Sequence, residues 1–82
     1  KLYIGGAAMS RKVLLVQELL SKLRDFNGKN GLTIHTSLHK PDGDYRVGVE
    51  VTKGGNPVMH YYSSNLNDAT GALKSFVALL SL

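Results

Sequence analysis

The spacing of the apolar residues changes twice along this chain, and this change constrains the fold more than any other feature. In the first third of the chain, from Ser10 onward, apolar side chains recur every three or four positions, as on one face of a helix. Residues 32–40 and 45–53 instead alternate between apolar and polar side chains, which is typical of half-buried strands. Residues 58–64 are predicted as a third strand, and the helical spacing then returns. The predicted order is therefore helix, three strands and helix.

Residues that favour caps and turns separate these segments. Ser10 is predicted as the N-cap of the first helix, and Asn27-Gly28 as its left-handed stop. Turns are predicted at residues 41–44 and 54–57, where proline and glycine suit the backbone conformations of turns. The predicted fold class is α+β: a three-stranded antiparallel meander with two helices packed on one face, in the order α-β-β-β-α.

The sequence also predicts how the two helices pack and where the second one begins. Leu14 and Leu15 widen the apolar stripe of the first helix, so we expect that helix to be well buried. In the second helix, Asn65 is predicted as the N-cap. Gly71 is expected to permit a close approach to the sheet, because glycine otherwise weakens a helix by about 1 kcal/mol relative to alanine.

Residues 1–8 stand apart from this pattern. The chain opens on Lys1, and Met9-Ser10 would be a natural start, so we expect residues 1–8 to be a tag, a processed leader, or a short edge strand formed by residues 2–4. Residues 9–82 are predicted to form a single domain, since natural domains begin at about 50 residues.

Charge and composition limit the classes of partner. The net charge is +4, from ten Lys and Arg against six Asp and Glu. Seven of the basic residues but only two of the acidic ones fall in residues 1–40, so this half of the chain favours an anionic partner. The chain has no cysteine, which excludes disulfides and thiolate metal sites. The absence of cysteine also makes a reducing cytoplasm the expected location. No apolar run approaches the length of about 18 residues that spans a membrane, so we expect no membrane partner.

The predicted order of elements, together with the segment KPDGDYRVGVEV at residues 40–51, resembles the double-stranded-RNA-binding domain over about residues 10–82. The resemblance implies contacts to duplex RNA from the first helix, the first hairpin loop and the start of the second helix. The lysine cluster that this family carries at the start of the second helix is missing: residues 64–68 read SNLND, and Lys74 is the only basic residue of that helix. Because phosphate contacts supply most of the affinity in such binding, the resemblance implies the fold more than the function.

If a nucleic acid is bound, the first helix and its surroundings form the candidate surface. Its basic side chains are Arg11, Lys12, Lys22, Arg24, Lys29, Lys40 and Arg46. The alternative is that these charged side chains only form a solvent-exposed helix face without a binding role, as charged helix positions commonly do. Recognition of single strands would need two or three aromatic side chains on the open sheet face, where Tyr62 is the one candidate.

The histidines mark a second candidate surface, on the sheet face that the helices leave open. That face is predicted to carry His35, His39, Glu50, His60 and Tyr62. If the hairpins pair closely, with Lys53 opposite Pro57, then His35, Glu50 and His60 line up across three strands. Neighbouring strands lie about 4.8 Å apart, so the two outer imidazoles start about 10 Å from each other, too far for zinc unless both lean inward. We therefore expect a cross-strand charge pair, and no metal or other cofactor.

Enzymatic chemistry is not expected. The chain has no cysteine nucleophile and no phosphate-binding loop, and so small a domain has little room for a concave pocket. We expect a small binding module of adaptor or inhibitor type, whose partner is another protein or a second copy of the chain; a nucleic acid is the alternative partner. The first strand is predicted as a free edge that accepts a partner strand, and a proline at Ser37 as the substitution that blocks it.

Overall fold

The computed structural model describes residues 6–82, with the side chains of residues 11–82. Its elements confirm the predicted fold class: α1 at Gly6–Arg24, β1 at Leu32–His39, β2 at Arg46–Lys53, β3 at Asn56–Ser63 and α2 at Leu66–Leu80. A short 3-10 turn at Lys29–Gly31 leads into β1. The edge strand considered for residues 2–4 lies outside the described residues. Neither of the described α-helices is long and apolar enough to cross a membrane.

The three strands form one antiparallel sheet in the order β1-β2-β3, as predicted. The connection from β2 to β3 is a turn of only two residues, Gly54 and Gly55. Their φ angles are 59° and 81°, the left-handed conformations that a tight hairpin turn of this length requires. Glycine adopts these angles without steric cost, so the Gly-Gly pair determines where the second hairpin reverses.

The predicted pairing of Lys53 with Pro57 is wrong. Because the turn contains two residues rather than three, Lys53 pairs with Asn56. The register then shifts by one residue, with Val58 as the extra residue of a β-bulge. Beyond Val58 the strand follows the predicted register again. Pro57 lies at the start of an edge strand, where the lack of an N–H group is tolerated.

The core lies between the sheet and the two helices, which pack on each other and cover the same sheet face. The central strand contributes Val47, Val49 and Val51, each at most 4% exposed. The helices cover this strand with side chains that are themselves buried: Val16, Leu19, Leu20, Leu23, Ala69 and Leu73. Full burial of a valine or leucine side chain contributes about 1.5–3 kcal/mol, so this layer holds the three elements together.

Helix α1 differs from its prediction at two points. It begins at Gly6, so Ser10 lies inside the helix and is not its N-cap. Leu14 and Leu15 are 56% and 36% exposed and do not extend the buried stripe. Successive helix residues are rotated by about 100°. Leu15 therefore falls on the flank of the side that Val16 buries, and Leu14 falls almost opposite that side. The helix therefore keeps one broad side in solvent.

Helix α2 also differs from its prediction at one position. Gly71 is exposed, and a β-carbon built on it would meet no atom within 4 Å. It therefore makes no close approach to the sheet, and the sequence-based reason for a glycine here is wrong.

We expect Gly71→Ala to raise the free energy of unfolding by about 1 kcal/mol, because alanine suits an exposed helix interior better than glycine. Gly28 is the matched control, since a β-carbon there also meets nothing within 4 Å, but its φ is 87°. Gly28→Ala should lower the free energy of unfolding by about 1–2 kcal/mol, the cost of a left-handed alanine. Urea unfolding of both variants measures this contrast, and a destabilising Gly71→Ala would show that the helix needs a glycine there.

Candidate functional site

The predicted row of polar side chains is present on the open sheet face. His35 pairs with Glu50, and Glu50 pairs with His60, so the sequence-based alignment of these three residues is confirmed. His39 lies apart from the row, opposite Arg46 at the first hairpin. In the part of the chain that the structure describes, no group of three or more His, Asp or Glu side chains is arranged to hold a metal ion. Cross-strand neighbours of this kind contribute about 0.2–1 kcal/mol each.

Tyr62 packs against its neighbours on the same face. Its ring lies over Gly48, where an added β-carbon would come within 2.9 Å of Tyr62 Cε1. The ring also meets His60 edge to face, with 5.8 Å between the ring centroids. A hydrogen bond to Glu50 is the main cause that raises the pKa of Tyr62. These contacts hold Tyr62 on the sheet surface, where its side chain stays 60% exposed.

The basic candidates are exposed but do not form one surface: Arg11, Lys12, Lys22 and Arg24 lie on α1, Lys29 in the 3-10 turn, and Lys40 and Arg46 beside the β1–β2 loop. Lys12 shares a shallow depression with that loop. Lys22 lies ten residues further along the helix, about 15 Å at the rise of an α-helix. The charges are therefore divided between the two ends of the domain.

Several of these basic side chains also have partners within the domain. Arg24 Nη1 donates a hydrogen bond to Thr36 Oγ1 at 2.8 Å. Arg46 forms an exposed ion pair with a loop aspartate, at 3.5 Å between nitrogen and oxygen. The Lys29 and Lys40 ammonium groups lie over aromatic rings, 5.4 and 5.0 Å from the centroids. The directions of these four side chains therefore follow local contacts within the domain.

The start of α2 is organised by hydrogen bonds within the domain. Asn65 Oδ1 accepts a bond from the Asp68 N–H at 3.0 Å, which confirms the predicted N-cap. Ser63 Oγ accepts a bond from the Asn65 N–H at 3.0 Å. The Tyr61 hydroxyl donates to the Asp68 carboxylate and so joins β3 to α2. A capping network thus stands where the double-stranded-RNA-binding domain carries its lysines.

The edge strand β1 is covered over its first half by the loop that follows α1. The Gly28 N–H donates to the Leu32 carbonyl at 2.7 Å. The Ile34 N–H donates to Asn27 Oδ1 at 2.8 Å. An asparagine side chain therefore takes the place that a neighbouring strand would occupy. We call residues 32–34 the sealed half of β1.

The bond to Asn27 also shows which backbone groups of β1 point outward. In an antiparallel pair, residues alternate between exchanging hydrogen bonds with the neighbouring strand and directing their N–H and C=O groups away from it. Ile34 belongs to the outward set, and so do Thr36 and Leu38, two and four residues further on. Within the described residues, the N–H groups of Thr36 and Leu38 have no acceptor. We call residues 36–38 the open half of β1.

A groove of about 460 Å³ runs beside the open half, between α1 and β1, and is lined by Gln17, Leu20, Arg24, Thr36, Ser37 and Leu38. The hydrogen bond from Arg24 to Thr36 crosses it. Unpaired backbone groups therefore lie next to a groove that contains both a guanidinium and apolar side chains. This arrangement can pair with an extended segment and recognise one of its side chains.

The contacts that shape this edge were not predicted from the sequence. The sequence places Arg24 on a basic helix face, but no pattern in it indicates the contact with Thr36. Asn27 was expected only as part of the helix stop. An asparagine between a helix end and an edge strand is a usable signal, because its side chain readily bonds to nearby backbone N–H groups.

Comparison with known proteins finds no matching family model, no similar curated protein and no similar solved structure. The likeness to the double-stranded-RNA-binding domain is therefore one of topology, the order α-β-β-β-α.

We expect Asn27→Ala to lower the free energy of unfolding by about 1–3 kcal/mol, because it leaves the part-buried Ile34 N–H without an acceptor. Asn27→Asp keeps an acceptor oxygen at this position and should therefore lower the free energy of unfolding by less. Urea unfolding measures the difference, and hydrogen exchange should show faster exchange of the Ile34 amide in Asn27→Ala alone. An equal loss of unfolding free energy in Asn27→Ala and Asn27→Asp would show that the Asn27 oxygen does not stabilise the Ile34 N–H.

The raised pKa of Tyr61 predicts that the free energy of unfolding falls at alkaline pH. Burial, followed by the hydrogen bond to Asp68, raises the pKa of Tyr61. The folded protein therefore keeps this proton at a pH where the unfolded chain, with a tyrosine pKa of about 10, has lost it. The contribution of Tyr61 to the free energy of unfolding is fully present below about pH 10, and it declines as the pH rises through the raised pKa of Tyr61.

Asp68→Asn should lower the pKa of Tyr61 and weaken this alkaline dependence of stability. Absorbance titration of the tyrosines measures the pKa, with Tyr61→Phe identifying the signal of that residue. An unchanged Tyr61 titration in Asp68→Asn would show that the carboxylate does not influence the phenol.

Proposed function

We propose that this domain is a protein-binding module, of adaptor or inhibitor type, that accepts an extended segment of its partner along the open half of β1. The outward N–H and C=O groups of Thr36 and Leu38 are the observation that supports this function. A strand added to such an edge gains main-chain hydrogen bonds, each with a net contribution of about 0.5–1.5 kcal/mol. The groove beside the edge provides room for side chains of the added strand.

The distribution of basic residues favours a protein partner over a nucleic acid. Nucleic-acid affinity depends on several phosphate contacts acting together. The candidate basic side chains lie at both ends of the domain, and the start of α2 carries Asp68 in its first turn. A helix N-terminus with an acidic side chain is poorly suited to a phosphate.

Thr36 is the position at which a proline tests the proposal. The sequence-based choice of Ser37 is wrong, because Ser37 belongs to the set of residues that bond to β2, and a proline there would disrupt the sheet. A proline at Thr36 removes an outward N–H group and is tolerated on an edge strand. Thr36→Val is the matched control, since it loses the hydroxyl that Arg24 contacts but keeps the N–H group.

We expect Thr36→Pro to lose partner binding and Thr36→Val to retain it. Affinity capture with wild type and both variants, followed by titration of a purified captured protein, measures this difference. Urea unfolding establishes that Thr36→Pro is folded. Hydrogen exchange of the wild-type complex tests the same edge without a substitution, because Thr36 and Leu38 should become protected. A partner that binds wild type and a folded Thr36→Pro equally, and leaves these amides unprotected, would rule the edge out.

Titration with duplex RNA, duplex DNA and single strands across a salt series tests the nucleic-acid alternative. We expect no tight binding. An affinity whose logarithm falls linearly with the logarithm of the salt concentration would contradict the proposal, and its slope would count the phosphate contacts.

A further inference from the structure

Arg24 presents unused hydrogen-bond donors at the open half of β1. Its Nη1 donates to Thr36 Oγ1 at 2.8 Å, and a guanidinium has several further N–H donors. The side chain is exposed and lines the groove between α1 and β1. In the described part of the chain, no carboxylate forms an ion pair with Arg24. A positive charge with free donors therefore lies beside an unpaired strand edge.

The backbone of Thr36 determines which partner residue meets this charge. Because the Thr36 N–H and C=O groups point outward, an added antiparallel strand exchanges both of its hydrogen bonds with one residue there. Residues directly opposite each other direct their side chains to the same sheet face, with β-carbons about 4.5–5.5 Å apart. Thr36 directs its side chain toward α1, where it contacts Arg24. The partner side chain opposite Thr36 therefore also approaches Arg24.

We infer that the partner segment carries an aspartate or glutamate opposite Thr36, which Arg24 recognises. This inference rests on the proposed strand addition. A carboxylate matches the planar donor geometry of a guanidinium and can accept two parallel hydrogen bonds from it. Two residues away on the same face, the partner side chain lies beside Leu20 and Leu38, so an apolar residue fits there.

A second copy of this chain does not meet these requirements. The β1 segment LTIHTSLH contains no acidic residue, so pairing two β1 strands places no carboxylate next to Arg24. Each copy also carries a net charge of +4, which opposes association. The structure therefore favours a different protein with an extended acidic segment.

Three octapeptides test the inference: Val-Thr repeats in which one central valine is replaced by glutamate, glutamine or lysine. Nuclear magnetic resonance titration of the labelled protein follows the amide signals of Thr36 and Leu38 and the side-chain signal of Arg24. We expect the glutamate peptide to bind about fivefold more tightly than the glutamine peptide, the upper range for an exposed ion pair, and the lysine peptide to bind most weakly. The difference should shrink at high salt.

Arg24→Glu should reverse the order, so that the lysine peptide binds most tightly. Lys22→Glu is the matched control: it makes the same charge change on the exposed side of α1, outside the groove, and should leave the order unchanged. Equal binding of the glutamate and glutamine peptides, with shifts at Thr36 and Leu38, would overturn the acidic preference and leave strand addition standing. No shift at these amides with any peptide would overturn both proposals.

Discussion

The burial of one face of the central strand is the interaction on which the other features of this domain depend. Val47, Val49 and Val51 are almost completely buried, and they provide the surface on which both helices pack. Because β2 pairs with a strand on each side, its backbone is satisfied within the sheet. The helices occupy only that face, so the opposite face stays polar, and the two outer strands each present one edge.

The two edges of the sheet are protected in different ways and over different lengths. At β3, Pro57 removes one N–H group and the bulge at Val58 interrupts regular pairing, two common ways in which proteins protect a sheet edge. At β1, Asn27 Oδ1 accepts a hydrogen bond from the Ile34 N–H, which points away from the sheet. Residues 36–38 carry no such protection among the described contacts, and they lie next to a guanidinium. Under the proposed function, these open positions beside the groove are the ones at which a partner strand pairs.

Much of the fold could be predicted from the sequence, because local periodicity reports which side of each element is buried. The alignment of His35 with Glu50 followed from the same reasoning. The pairing of Lys53 was missed because the turn length and the bulge, rather than the alternation, determine the register there. The exposure of Leu14 could have been predicted, because two helix positions rotate it to nearly the opposite side from Val16. The exposure of Leu15, on the flank, depends on how much of α1 the neighbouring elements cover, which periodicity does not report. The contact of Arg24 with Thr36 joins residues twelve positions apart through packing, so no local pattern contains it.

The sealed half of β1 also limits where a partner strand can lie. In the proposed strand addition, a partner strand stops before Ile34, because pairing with Ile34 or Leu32 would require displacing the loop that contains Asn27. The loop therefore limits how far the proposed partner strand can extend along β1. The segment that terminates the first helix thus also confines the proposed partner strand to the open half of β1.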